Sequence, residues 1–125
     1  MVTEYNKEVC SIIKNLMDCE FQSLYFGKEG YIIRCKNCGY YQVAFLSVLL
    51  NLSHSEFNAL HNIVKFKCGH YSGWDTDNTK NVIIQTPGPE TFILLTITEA
   101  RQFMNMLEEA DNEAKALLLI DMFNA

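Results

Sequence analysis

The chain has 125 residues, of which 49% are hydrophobic and 20% are charged. This length suits one domain of ordinary size, spanning residues 1–125, and the composition excludes a disordered chain. The formal net charge of −5 comes without the strong basic footprint of nucleic-acid-binding domains, and no stretch approaches the roughly 18 consecutive apolar residues of a membrane span.

The N-terminus and the cysteine count predict a cytoplasmic protein. Glu4 and Glu8 are acidic where a secretion signal would be basic, and no apolar run follows them. Five cysteines cannot form a fully paired disulfide framework, and a reducing cytosol disfavours disulfides. Metal ligation or burial therefore explains the thiols better than disulfide pairing does.

Residues 1–18 are predicted to form an amphipathic N-terminal helix. Apolar residues recur there at spacings of three and four, which places them on one helical face. They are Tyr5, Val9, Ile12, Ile13, Leu16 and Met17.

Residues 19–67 are predicted to form a first ββα-like unit. Strands at residues 21–26 and 31–35 flank a turn with two glycines, and residues 41–45 alternate as a third strand whose apolar run continues through residues 48–52. Ser53 and Glu56 have the spacing of a capping box, which predicts that a helix starts there.

A second ββα unit is predicted for residues 82–125, after a loop at residues 68–81. Residues 82–86 repeat the strand pattern, the following turn contains two prolines around a glycine, and Thr96 with Glu99 repeats the capping spacing. The sequence thus predicts an α+β fold in which two ββα units form a mostly antiparallel sheet, with helices packed on one face.

The last helix has an apolar face wider than one core requires. Its inward stripe runs from Ala100 to Leu118, and the final two turns are apolar on nearly every side. Two interpretations stay open, since large exposed apolar patches are uncommon on monomers. This end packs on the N-terminal helix of the same molecule, or it contacts a partner or a second copy.

The cysteine pair Cys35-x-x-Cys38 predicts a zinc-ribbon-like knuckle, because two thiols three positions apart are half of a tetrahedral zinc site. Cys19, sixteen positions upstream of Cys35, could complete it. The alternative completion is Cys68 with His70. An equally open interpretation is a lost or unoccupied site whose thiols are buried or turn residues.

Redox chemistry at Cys35 and Cys38 is a third interpretation of the same pair. A low-pKa CxxC thiol normally precedes a helix, whereas residues 40–45 are predicted to be a strand. A weakly basic region near the pair also allows weak nucleic-acid binding, although such binding is not expected from so few charges. Its basic residues are Lys28, Arg34, Lys36, Lys65 and Lys67.

The CxxC hairpin, the Gln-Val-Ala-Phe strand that starts at Gln42, the capped helix containing Glu56-Phe57 and the Ile-Ile-Gln-Thr-Pro strand resemble a family of short uncharacterised proteins from Bacteroidota. The resemblance covers about residues 19–123. It implies a small cytosolic protein with no assigned activity, adds no catalytic residue, and implies that Cys19 matches the cysteine upstream of the CxxC.

The expected function is that of a non-enzymatic protein-interaction or scaffold module with a structural zinc knuckle. The alternative is a thiol-redox protein acting through Cys35 and Cys38, and the third is a weak nucleic-acid-binding module. The expected contact is a protein partner or a homodimer formed through the C-terminal helix.

Overall fold

A computed structural model describes residues 20–71 and 79–124. The described elements are β1 (Phe21–Gly27), β2 (Gly30–Cys35), β3 (Tyr41–Phe45), β4 (Val48–Leu52), α1 (His54–Gly69), β5 (Val82–Gln85), β6 (Phe92–Leu95) and α2 (Ile97–Asn124). The predicted α+β class and antiparallel pairing are confirmed. The helix expected at residues 1–18 and most of the loop expected at residues 68–81 lie outside the described residues.

The first four strands form an antiparallel meander in the order β1-β2-β3-β4. The β1–β2 hairpin has the predicted position, with Gly27 paired to Gly30 across a two-residue turn. In β3 the side chains of Tyr41, Val43 and Phe45 are buried while those between them are half-buried. This alternation is expected when one face of a sheet covers a core.

The apolar run after β3 is a separate strand. Leu46 and Ser47 form a tight turn between β3 and β4, and Leu46 has a φ of 53°. The N–H of Leu46 donates to the carbonyl of Glu29 (2.8 Å), which ties this turn to the β1–β2 turn. A reversal at a leucine has no glycine or proline signal, so the sequence pattern suggested continuity instead.

Strands β5 and β6 form a second, two-stranded antiparallel sheet. The predicted sheet is therefore divided in two, and the first unit contributes four strands where the second contributes two. Helix α1 continues through Gly69, so the loop expected from residue 68 begins after that glycine.

Both predicted capping boxes are present and start the two helices. The hydroxyl of Ser53 accepts from the N–H of Glu56 (3.2 Å), and the Glu56 carboxylate accepts from the N–H of Ser53 (2.8 Å). Thr96 and Glu99 make the same reciprocal pair at 3.1 and 2.9 Å. Each box satisfies N–H groups that have no partner within the helix.

One hydrophobic core joins both sheets to both helices. The ring of Phe45 in β3 stacks on Phe103 in α2 with centroids 4.4 Å apart, and Tyr41 stacks on Phe57 in α1 at 4.3 Å. Within the described ranges, no helix combines the length and the apolar character needed to cross a membrane.

Helices α1 and α2 pack side by side and run in opposite directions. His61 in α1 contacts Glu108 in α2. Cys68 lies further along α1, and Arg101, which lies earlier in α2, is close enough for its charge to act on the pKa of the Cys68 thiol. The start of α1 therefore lies beside the later part of α2. This arrangement decides which residues meet at each end of the molecule.

Candidate functional site

The CxxC turn, residues 35–40, joins the two inner strands, β2 and β3, at one end of the four-stranded sheet. Cys35 is buried at the end of β2, whereas Cys38 is exposed. The N–H of Gly39 donates to the carbonyl of Cys35 (2.9 Å), and the N–H of Cys35 donates to the carbonyl of Tyr40 (2.8 Å). Gly39 has a φ of 78°, a left-handed conformation that glycine adopts at no steric cost. Both thiols thus belong to one short, hydrogen-bonded turn.

Cys19, one of the predicted metal ligands, lies outside the described residues, but its chain neighbour lies beside the CxxC turn. The carbonyl of Glu20 accepts from the N–H of Lys36 (2.8 Å), and Phe21 pairs with Cys35. Glu20 and Phe21 therefore lie at the same end of the sheet as the CxxC turn.

Cys68 and His70, the alternative completion, lie at the far end of α1. This helix starts near the CxxC turn, because the hydroxyl of Tyr41, which directly follows that turn, lies 3.1 Å from Nδ1 of His54. From His54 to Cys68 the helix rises by roughly 21 Å, at about 1.5 Å per residue. The structure thus places Cys68 and His70 well away from the CxxC turn.

Two further observations concern these distal residues. Burial raises the pKa of the Cys68 thiol, despite the opposing effect of Arg101, which favours the neutral thiol over a metal-binding thiolate. Nδ1 of His70 lies 2.9 Å from the carbonyl of Phe66. Across residues 20–71 and 79–124, no three His, Cys, Asp or Glu side chains form a group that could hold a metal ion. The zinc-ribbon-like knuckle stays a prediction.

A polar cleft of about 600 Å³ opens between α1 and α2. Three buried residues, Tyr41, His61 and Ala114, contribute to its lining. The other lining side chains are mostly charged or amide-bearing. We call this feature the interhelical cleft.

Hydrogen bonds orient the histidine near the start of α1. Nδ2 of Asn58 lies 3.2 Å from Nε2 of His54, and the Tyr41 hydroxyl lies 3.1 Å from Nδ1 of the same ring. Because an amide nitrogen can only donate, Nε2 accepts, and the proton of a neutral ring then resides on Nδ1. The Tyr41 oxygen accepts that proton's hydrogen bond.

The acidic groups of the interhelical cleft each have a basic neighbour. Nε2 of His61 lies 3.2 Å from the Glu108 carboxylate, and Nζ of Lys115 lies 2.8 Å from the Asp111 carboxylate. The hydrogen bond and charge of Asp111 raise the pKa of Lys115 above its ordinary value. Asp111 is thus paired with a cation, and Glu108 contacts an imidazole.

The C-terminal part of α2 projects beyond α1. His61 lies opposite Glu108, and α2 continues to Asn124 while α1 begins at His54. The overhang is roughly 13 Å at about 1.5 Å per residue. Its large apolar side chains are 53–87% exposed, and they are Leu118, Leu119, Ile120, Met122 and Phe123. We call residues 118–123 the α2 overhang.

A comparison with known protein families identifies the family of this chain. A family described as a family of unknown function (DUF6686) matches residues 17–124. The chain belongs to this family. No curated protein and no solved structure matches it.

Membership in the DUF6686 family confirms the expected resemblance to an uncharacterised family. The matched residues include Cys19, the CxxC turn, the interhelical cleft and the α2 overhang, and they exclude residues 1–16. The proposed origin in Bacteroidota and the CxxC as a family feature stay predictions.

Sequence reasoning missed the interhelical cleft of this DUF6686 protein. His54 is exposed at the start of α1, whereas His61 is only 6% exposed. A signal was available, since His61 follows the buried Phe57 by four positions and therefore shares its helical face. Pairing with a residue 47 positions away in sequence carries no local signal.

Proposed function

We propose that this protein is a non-enzymatic interaction module that pairs with a second copy of itself through the α2 overhang. The observation that carries the proposal is the exposure of five large apolar side chains on a helix end that projects beyond its own core. Together they present on the order of 500 Å² of apolar surface per chain, and two copies approach the roughly 1,000 Å² of a specific interface. We also propose that the protein is cytoplasmic.

A second copy is a better occupant than the N-terminal segment. The family match contains the whole overhang but begins at residue 17, after most of the apolar stripe predicted for residues 5–17. The match thus includes the overhang without most of that stripe, which favours an occupant that itself lies within the match. A second copy supplies an identical helix end, and identical patches pair readily about a two-fold axis.

The test is the oligomeric state of a Phe123→Ser variant, measured by native mass spectrometry and by light scattering over a dilution series. Phe123 is 87% exposed, and Phe26 at the β1–β2 hairpin is 84% exposed. Phe26→Ser is therefore a matched control with the same loss of apolar surface. We expect a dimer for the wild type and for Phe26→Ser, and a shift toward monomer for Phe123→Ser, because truncation of a large aromatic group within an interface weakens it strongly.

A monomeric wild type across the dilution series would contradict the dimer. Equal weakening by Phe26→Ser and Phe123→Ser would also contradict it, since the contact would then not involve the overhang specifically. A monomer that becomes a dimer only when residues 1–16 are deleted would identify the N-terminal segment as the occupant.

We further propose that Cys35 and Cys38 hold a structural zinc ion, with Cys19 as the third ligand. The hydrogen-bonded turn at Gly39 and the pairing of Glu20 with Lys36 support this set. Three thiolates would supply three of the four positions of a tetrahedral site. Cys68 lies far from the CxxC turn, and this distance favours Cys19 over Cys68 and His70 as the additional ligand.

Zinc content of tag-free protein tests this set. We expect one zinc per chain in the wild type, loss of zinc in Cys35→Ser and Cys19→Ser, and retention in the control Cys68→Ser. Retained zinc in Cys19→Ser together with loss in Cys68→Ser would select the distal completion instead. Absence of zinc from wild-type protein refolded with zinc present would overturn the site.

The two alternative functions have less support. The element that follows the CxxC turn in the chain is strand β3, whereas a redox CxxC motif normally opens a helix. Nucleic-acid binding needs a continuous basic face. Lys28 lies in the β1–β2 turn and Lys36 in the CxxC turn, at opposite ends of the hairpin.

A further inference from the structure

His61 is a buried polar residue that faces the interhelical cleft. Three polar residues are buried in the described ranges, namely His61, Thr86 and Thr96. Thr96 caps α2, and the Thr86 hydroxyl donates to the carbonyl of Thr91 (2.9 Å) in the β5–β6 turn. His61 caps no helix and closes no turn. It lines the interhelical cleft, where its partner is a carboxylate that is 46% exposed.

The charges around the cleft leave a cationic surplus. Three cationic side chains line it, namely Arg34, Lys65 and Lys115, against the two acids Glu108 and Asp111. Each acid already has a basic neighbour. The Nε and Nη2 groups of Arg34 donate to Oε1 of Gln22, which is neutral. Lys65 has no ion-pair partner in the part of the chain that the structure describes.

This local surplus contrasts with the whole chain, whose formal net charge is −5. Amide groups add hydrogen-bond donors to the same lining, through Asn58, Asn62 and Asn112. Cations and amide donors that converge on a concave surface are the groups that recognise oxyanions. The volume of about 600 Å³ lies within the range of roughly 300–1,000 Å³ that is common for small-molecule sites.

We propose that the interhelical cleft binds a small polar molecule through a carboxylate or phosphate group held by Lys65 and Arg34. Lys65 supplies a cation without a competing acid, and Arg34 retains N–H groups beyond the two that contact Gln22. The asparagine amides bind the polar remainder of the ligand. The hydrogen-bonded Tyr41-His54-Asn58 chain and the buried His61 line one wall of the cleft. The charged and polar groups of this site lie outside the α2 overhang, whose Leu118 also lines the cleft.

The three histidines make a direct test feasible. His54 and His61 line the interhelical cleft, whereas His70 lies at the far end of α1. We would record the imidazole NMR signals of the full-length protein during separate titrations with inorganic phosphate, adenosine monophosphate and citrate. The pH is held constant, and sodium chloride at equal ionic strength serves as the reference. We expect saturable shifts of the His54 and His61 signals and none for His70.

Substitution of the cleft cation provides the matched comparison. Lys65→Gln should weaken binding by about tenfold, as expected for loss of a charge-assisted contact. Lys67→Gln removes the same charge from the same helix but lies outside the cleft, and should leave binding unchanged. Saturation by citrate alone or by the two phosphate probes alone would identify the recognised group.

Three results would overturn the proposal. The first is the absence of saturable shifts with all three probes, and the second is a shift of His70 equal to those of His54 and His61. The third is equal weakening by Lys67→Gln and Lys65→Gln, which would indicate general charge attraction. The amide spectrum of each variant, compared with that of the wild type, shows whether a loss of binding reflects unfolding.

Discussion

Gly30 allows the β1–β2 turn and the end of β3 to approach each other closely. A Cβ atom at this position would overlap the backbone carbonyl of Ala44. The obstacle is backbone, so no side-chain rotation can relieve it. The absence of a side chain is therefore a requirement of the sheet at this position.

Gly30→Ala should destabilise the protein by about 3 kcal/mol, because strands β2 and β3 must separate to accommodate the methyl group. Chemical denaturation followed by circular dichroism measures this change. Gly69→Ala is the control, since open space surrounds Gly69 at the end of α1. A loss below roughly 1 kcal/mol for Gly30→Ala would show that the sheet can adjust.

At the scale of elements, Glu99 has two partners at the start of α2. Its carboxylate accepts from the N–H of Thr96 and forms a 2.6 Å ion pair with Lys80, which precedes β5. These contacts, that with Lys80 foremost, hold the pKa of Glu99 below its ordinary value. One side chain thus links the helix start to the segment that enters the second sheet.

This lowered pKa predicts how stability depends on pH. The unfolded state takes up the proton of Glu99 near the ordinary pKa of 4.5, whereas the folded state resists protonation until lower pH. The contribution of Glu99 is therefore complete above that value and is lost as the pH falls through the folded pKa. Glu99→Gln should lower stability by about 1 kcal/mol at neutral pH and make its decline in acid shallower.

Denaturation midpoints from neutral pH down to pH 3 would measure this difference. Glu113→Gln, at an exposed position of the same helix, should retain the wild-type profile. Parallel acid profiles for Glu99→Gln and the wild type would mean that other carboxyl groups control acid unfolding.

At the scale of the whole molecule, one core joins both sheets and both helices, yet apolar surface remains outside it. Besides the α2 overhang, the outer face of the two-stranded sheet exposes Ile83, Phe92 and Leu94 by 48–55%. Cross-strand pairing places Ile83 directly opposite Leu94. The CxxC turn, the start of α1 and the later part of α2 all meet at one end of the molecule.

Removal of the proposed zinc should act on the whole molecule, because it would free the CxxC turn and the chain before β1 together. We expect a strong chelator to lower the melting temperature of the wild type by about 5 °C or more, since metal binding to the folded state adds to folding stability. Cys35→Ser should melt at a lower temperature and show no response to the chelator. An unchanged melting temperature for both proteins would argue against a structural metal.

Local signals in the sequence determined the elements. The Ser53 and Thr96 capping boxes and the β1–β2 hairpin were predictable because their hydrogen bonds join residues that are close in sequence. The alternation of Tyr41, Val43 and Phe45 likewise follows from the two-residue period of a strand. The exposed apolar end of α2 was predictable from helical spacing in the sequence. The exception is Leu118, which was assigned to the inward stripe and is 57% exposed.

Tertiary structure alone decided how these elements meet. The reversal at Leu46 and the division into two sheets depend on packing that no local pattern encodes. The direction of α1 carries Cys68 away from Cys35, and only the antiparallel packing of α1 on α2 brings His61 to Glu108 and creates the interhelical cleft. Sequence patterns report the few residues that form an element, whereas distances between elements depend on how the whole core packs.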